Sequence, residues 1–154
     1  MKCSVCGGST SEVKEIKKAK YRDEVVEVKT ALFRCGSCAE GFVTPQQLRN
    51  DARAVKNEVR KKLGLLPPEA IVALCQKLGL TQSAQEDALG TGPKMVVRWE
   101  SGKVIQSRGH DNMLRLLERN PATLKSLQQI QKLRYREQEK YESSVLSPEG
   151  APAV

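Results

Sequence analysis

The sequence is short of aromatic side chains and nearly lacks histidine: Phe, Tyr and Trp make up 4% of its 154 residues, Trp99 is the sole tryptophan and His110 the sole histidine. So few rings make a poor stacking platform for single-stranded nucleic acid. One histidine, with no catalytic cluster around it, provides no acid–base machinery, and the chain reads as a non-enzyme. No run approaches the roughly 18 consecutive apolar residues of a membrane span, and Met1-Lys2-Cys3 opens a cysteine motif rather than a signal peptide. The expected compartment is the cytoplasm, with no membrane partner.

What the chain does hold is positive charge and paired cysteine. Its 26 Lys+Arg outnumber 18 Asp+Glu, for a formal net charge of +8. That balance suits a polyanion, and with stacking poorly supplied the better polyanion is duplex DNA. Four of the five cysteines form two CxxC pairs, Cys3/Cys6 and Cys35/Cys38, with 28 residues between the pairs. In a reducing cytosol such pairs favour a metal over disulfides. Four thiolates close a tetrahedral shell around one Zn²⁺ and leave no position for water, so the metal is expected to be structural. Redox dithiols, disulfides and an iron–sulfur centre are the competing readings. A thioredoxin-like CxxC follows a buried strand in a βαβ unit, and Cys3 stands too near the start for that. Cys75, inside Ile71-Val72-Ala73-Leu74-Cys75, reads as a small core residue.

The periodicity divides the chain. Val25-Val26-Glu27-Val28 and Thr30-Ala31-Leu32-Phe33 are β-branched or apolar stretches without helical spacing, and predict short antiparallel strands between the cysteine pairs. Gly7-Gly8 and Gly36 sit where tight turns must present backbone N–H groups to sulfur. Thr44-Pro45 reads as an N-cap followed by Pro at the first helical position, opening a polar, basic helix to about Lys62. Gly64-Leu65-Leu66-Pro67-Pro68 ends it and reads as a hinge. From Glu69 to Gln131 apolar residues recur at helical spacing, broken by Gly79, Gly90 to Pro93, Gly102 and Asn120-Pro121. The expected fold class is α+β: a zinc-binding domain over residues 1–44, a basic helix and hinge over 45–68, an all-α helix-turn-helix domain over 69–131, and a tail over 132–154 that is helical and then disordered from about Ser147 to Pro152. A domain of about 40 residues rarely folds on its own core, and a metal supplies what it lacks.

The stretch from Leu80 to Gly102 reads as two short helices around a turn. Thr81 caps the first helix and places Gln82 where an exposed amide meets a phosphate. Ala84 and Ala88 allow a close crossing, and Gly90 to Gly92 make the turn. Pro93 fits the first turn of the second helix, with Met95, Val96 and Trp99 inward, so Trp99 is expected in the core. Lys94 and Arg98, at i and i+4, are then expected to share the outer face and enter a major groove, where Arg can grip guanine O6 and N7. Lys103 and Arg108 join Gln82 as candidate phosphate contacts.

These residues resemble the helix-turn-helix of the XRE/Cro-repressor group. The combination of Met1-Lys2-Cys3-x2-Cys6, Cys35-x2-Cys38 with Glu40 after it, Arg60-Lys61-Lys62, Leu80-Thr81-Gln82, Arg98-Trp99-Glu100-Ser101-Gly102 and Leu114-Arg115-Leu116-Leu117 through Asn120-Pro121 is similar to the MqsA-type antitoxins, which carry a YgiT-type zinc finger. The resemblance covers residues 1 to about 127. It implies a type II antitoxin whose zinc domain blocks a cognate toxin, typically a messenger-RNA-cleaving ribonuclease. It further implies that the C-terminal domain forms a homodimer and represses the operon at a palindromic operator. The family's base-reading Asn and Arg fall on Lys94 and Arg98; Lys in the first place favours guanine or phosphate over adenine. The alternative is a stand-alone transcriptional regulator using the same DNA site. A thiol or zinc enzyme is a third reading, with no base beside the cysteines to serve it. The tail, with Leu133, Tyr135, Tyr141, Val145 and Leu146 among charges, is open to three readings: a solvated helix, a dimer contact, or an extension that binds a chaperone.

Overall fold

The β-branched run at residues 25–33 is one strand of a hairpin longer than the short strands expected. In the computed structural model, which describes residues 1–146, β1 (Thr10–Tyr21) and β2 (Glu24–Cys35) each run 12 residues. They pair antiparallel from Tyr21↔Glu24 to Thr10↔Cys35, so the connecting loop is Arg22-Asp23 alone. A two-residue loop calls for positive φ, and Arg22 takes φ 55 with its guanidinium 5.6 Å from the Tyr21 ring. A two-residue strand, β3 (Gly41–Phe42), adds to the far side of β2, giving the order β1-β2-β3. The expected disordered end, Ser147 to Pro152, lies outside the described residues.

Alternation decides which face of the hairpin is covered. Val26, Val28 and Thr30 are buried while Val25, Glu27 and Lys29 between them are exposed. Helix α1 (Pro45–Leu63) lays Val59 against Val26 and Val28, with Ala19, Tyr21, Ala54, Val55, Leu63 and Ile105 around them. The start of α1 follows the expected cap. The Thr44 side chain accepts from the Gln47 N–H and the Gln47 side chain returns a bond to the Thr44 N–H, with Pro45 at the first helical position. Gly64, at φ 65, ends the helix in a left-handed cap.

Arg60 is a buried member of the polar, basic helix. It is 1% exposed and donates to Asn57 Oδ1, to Gln106 Oε1 and to the Val104 carbonyl. Gln106 in turn donates to the Leu66 carbonyl at 2.7 Å. Leu65 and Leu66 are both buried. Within the stretch read as a hinge, these two leucines are packed and the Leu66 carbonyl is hydrogen-bonded, because the leucines are apolar enough to be drawn inward.

The remaining described elements are helical: α2 (Pro68–Leu78), α3 (Gln82–Leu89), α4 (Met95–Glu100), α5 (Arg108–Arg119) and α6 (Thr123–Leu146). The chain forms two compact units. One holds Met1–Ile71 with Arg98–Ser107, and the other holds Val72–Val97 and the chain from Arg108 onward. In the second unit Leu74, Cys75, Ala88, Leu89, Val96, Leu114 and Leu117 are buried, and α6 packs on α3 and α5. Cys75 is a core residue there, its thiol 3.1 Å from the Leu80 carbonyl. No helix among the described residues is long and apolar enough to cross a membrane.

Candidate metal centre and helix-turn-helix

The hairpin register accounts for the cysteine spacing. Because Thr10 pairs with Cys35, the chain before β1 lies beside the chain after β2, and the Gly36 N–H donates to the Ser9 carbonyl at 3.1 Å. The knuckle Cys3–Cys6 thus meets the knuckle Cys35–Cys38. Their four Sγ atoms all lie within 4.8 Å of one another. Cys3 and Cys38 sulfurs are 3.6 Å apart, and those of Cys6 and Cys35 are 3.5 Å apart. A zinc–sulfur distance of about 2.3 Å sets tetrahedral edges of about 3.8 Å, so the cluster is close to the size that one Zn²⁺ requires. All four are free thiols rather than disulfides.

The two knuckles are built alike. Gly7 donates its N–H to the Cys3 carbonyl, and Ala39 donates to the Cys35 carbonyl, each at 3.0 Å. Both residues are left-handed, at φ 73 and φ 60. Backbone N–H groups of Val5 and Ser37 approach the Cys3 and Cys35 sulfurs at 3.4 Å, the arrangement that stabilises thiolate. Of the glycines singled out from sequence, Gly7 provides the required conformation. Gly8 provides space, since a Cβ there would lie 2.7 Å from Ser37 Oγ and 3.2 Å from Cys35 Sγ. Gly36 does neither; the second left-handed position falls on Ala39, which composition gives no reason to suspect.

Crowding sets the thiols' protonation apart. Backbone N–H groups of Cys38 and Ser37 pull Cys35 down to about 6. For Cys38 the Glu40 N–H also pulls downward, but the neighbouring Cys6, burial and Cys3 together push it up to about 12. Four thiolates cannot share this space without a cation, and a divalent ion bound at their centre reverses that penalty. The residues present fit one structural Zn²⁺ held by Cys3, Cys6, Cys35 and Cys38. With four protein ligands the shell is full and the metal's chemistry is to fix the fold.

The helix-turn-helix segment also takes shape from local rules. Thr81 Oγ1 accepts from the Ala84 N–H at 3.2 Å, and Gly90 closes α3 at φ 64. Glu86 sets the next step: its buried carboxylate accepts from the Val96 N–H at 3.1 Å, tying α3 to the start of α4. No spacing in the sequence marked Glu86 for this role. Its signal, a carboxylate on the face otherwise occupied by Ala88 and Leu89, is legible only afterwards. Val96 and Trp99 are buried and Arg98 is exposed, as expected.

Lys94 departs from expectation. Helix α4 begins at Met95, and Lys94 stands before it at φ 63, in a turn closed by the Met95 N–H on the Gly92 carbonyl. Lys94 and Arg98 therefore do not form an i,i+4 pair on one helical face. The cause is local: Gly92-Pro93 favours a turn over a helical start, and the left-handed residue after it interrupts the helix. Lys94 remains exposed, as do Gln82, the first residue of α3, Arg108, the first of α5, and Lys103, in the loop after α4. The structure brings the four cysteines together; Arg98 and Lys103 belong to the first compact unit, and Gln82, Lys94 and Arg108 to the second. Lys103 is anchored through its carbonyl, which accepts from Lys56 Nζ at 2.6 Å.

A search among curated proteins finds no match. The family model described as the antitoxin component of a bacterial toxin-antitoxin system, MqsA, matches residues 1–128. That span takes in both cysteine knuckles, the hairpin, α1 and the whole helix-turn-helix, and so the chain belongs to the MqsA family of toxin-antitoxin antitoxins.

Proposed function

We propose that the chain neutralises a cognate toxin through its zinc-and-sheet unit and represses its own operon through the helix-turn-helix. The observation that carries this reading is that one antitoxin family spans residues 1–128 without a break, from the four-cysteine centre through α5. The zinc supports the toxin half by fixing the ends of a long hairpin whose outer strand, β1, has a neighbour on one side only. Such an edge can receive a strand or loop of another protein, and its lysines at residues 14, 17, 18 and 20 guard it against indiscriminate pairing. The toxin in this reading is a messenger-RNA-cleaving ribonuclease. The antitoxin itself is not an enzyme, and its place is the cytoplasm.

The DNA half rests on α4, where Val96 and Trp99 point inward and Arg98 outward. Arg98 is the base-reading residue, suited to a bidentate grip on guanine. Lys94, ahead of the helix, contacts a base or a phosphate; Gln82, Lys103 and Arg108 contact phosphates. A homodimer formed through the C-terminal domain would place two such helices in successive major grooves of a palindromic operator. Arg98→Ala is expected to weaken operator binding by about 1–3 kcal/mol and relax sequence preference, read by footprinting. A footprint like that of the parent chain would remove Arg98 from the base-reading role. Coexpression with the neighbouring reading frame tests the toxin half through rescue of growth. Failure to rescue, with operator binding intact, would favour a stand-alone regulator whose zinc unit only stabilises the chain.

A further inference from the structure

From Lys132 to Val145 every side chain of α6 is exposed. A helix of that length with no packed face is marginal in water. The stretch also lies beyond the residues matched by the family model. Along it Ile130, Leu133, Tyr141 and Val145 are 45%, 56%, 70% and 62% exposed. Leu127, Ile130, Arg134, Glu137, Tyr141 and Ser144 recur at alternating steps of three and four, the spacing of a coiled-coil seam. Leu127, Ile130 and Tyr141 flank the middle of that seam, Ser144 ends it, and opposite charges hold its middle. Among the described residues, neither Arg134 nor Glu137 has an ion-pair partner within the chain.

We infer that a second copy of this chain packs on this seam, with the two α6 helices antiparallel. Reversal about the midpoint between residues 135 and 136 sets Ile130 against the partner's Tyr141, Leu127 against the partner's Ser144, and Arg134 against the partner's Glu137. The twofold repeats each pair. A parallel pair would instead set Arg134 on the partner's Arg134 and Glu137 on the partner's Glu137, like on like, which opposes it. The charges thus select both the direction and the register, and the Ile130–Tyr141 pair on each side of them provides the apolar burial. This contact uses α6 alone and does not depend on the chain binding a toxin or an operator.

Sedimentation equilibrium on the full zinc-loaded chain tests it. The parent chain is expected to be dimeric at micromolar concentration. Glu137→Arg leaves only cations at the centre and is expected to weaken the dimer by about tenfold or more, as is Arg134→Glu; the double variant Arg134→Glu/Glu137→Arg restores it. Both positions are exposed, and circular dichroism checks that the monomer fold is kept. A monomeric parent chain, a dimer indifferent to either charge reversal, or a double variant that stays as weak as the singles would each overturn the inference. Indifference would place the dimer contact elsewhere on the chain, and a monomer would leave α6 solvated or covered by another protein.

Discussion

The two compact units reach stability by different means. The first has a hairpin whose buried aliphatic cluster is Val26, Val28 and Val59, with a four-thiol centre at the open end of the strands. The second has Leu74, Leu89, Val96, Leu114 and Leu117 buried on short helices, and no metal cluster among its described residues. Leu65, Leu66, Ile71 and Trp99 are also buried in the first unit, but outside the hairpin, and a hairpin with so few buried aliphatics calls for a staple. The difference shows what a metal that does no chemistry contributes: it closes the hairpin where apolar side chains are few.

Zinc removal is the largest perturbation of that contrast. Structural zinc contributes on the order of 10 kcal/mol of apparent binding energy in small metal domains. Chelation, or Cys35→Ser, is expected to abolish amide protection through β1 and β2 while α3 and α5 keep theirs, read by hydrogen exchange. Equal loss in both units would show that they share one cooperative core. Acid acts in the same direction. All four ligands must be thiolates when the metal is bound, so protons compete increasingly as pH falls, and most steeply once it passes below the value of about 6 at which metal-free Cys35 ionises. Zinc release monitored against pH should rise in that sense and not the reverse.

A smaller effect sharpens the other side. Gln85 is wholly buried in α3, and neither its amide oxygen nor its nitrogen has a hydrogen-bond partner among the described residues. Leaving such a group unsatisfied costs about 1–3 kcal/mol, so Gln85→Leu is expected to raise the urea midpoint of the helical unit. A fall in the midpoint would mean that the amide is satisfied in solution. The smallest effect returns to the metal: Ala39→Gly removes the penalty of a left-handed alanine and is expected to stabilise the zinc unit by less than about 1 kcal/mol, seen as a small upward shift in melting temperature.

Much of the fold was legible because it follows local rules. Thr44-Pro45 before a polar run carries both the cap and the first-turn residue of a helix start, and Thr81 and Gly90 bracket α3 by capping chemistry. The inward place of Trp99 followed from apolar spacing. The burial of Arg60 was not legible, because composition cannot distinguish a solvated arginine from one whose donors meet Asn57, Gln106 and the Val104 carbonyl; those acceptors lie up to 46 residues away. Lys94 was misread because Pro is compatible with both a helix start and a turn, and the adjoining residues decided for the turn.

By itself the sequence determined the donor set: four cysteines, their pairing into knuckles, and the absence of any further ligand beside them. Ligand identity is a property of side-chain chemistry and survives without coordinates. The tertiary structure decided that a single 12-residue pairing register brings Cys3 and Cys6 to Cys35 and Cys38, that Ala39 shares the left-handed role of Gly7, and that Glu86 reaches the start of α4. Those outcomes depend on which backbone groups meet across the chain, and such meetings are set by register and packing rather than by the residue types alone.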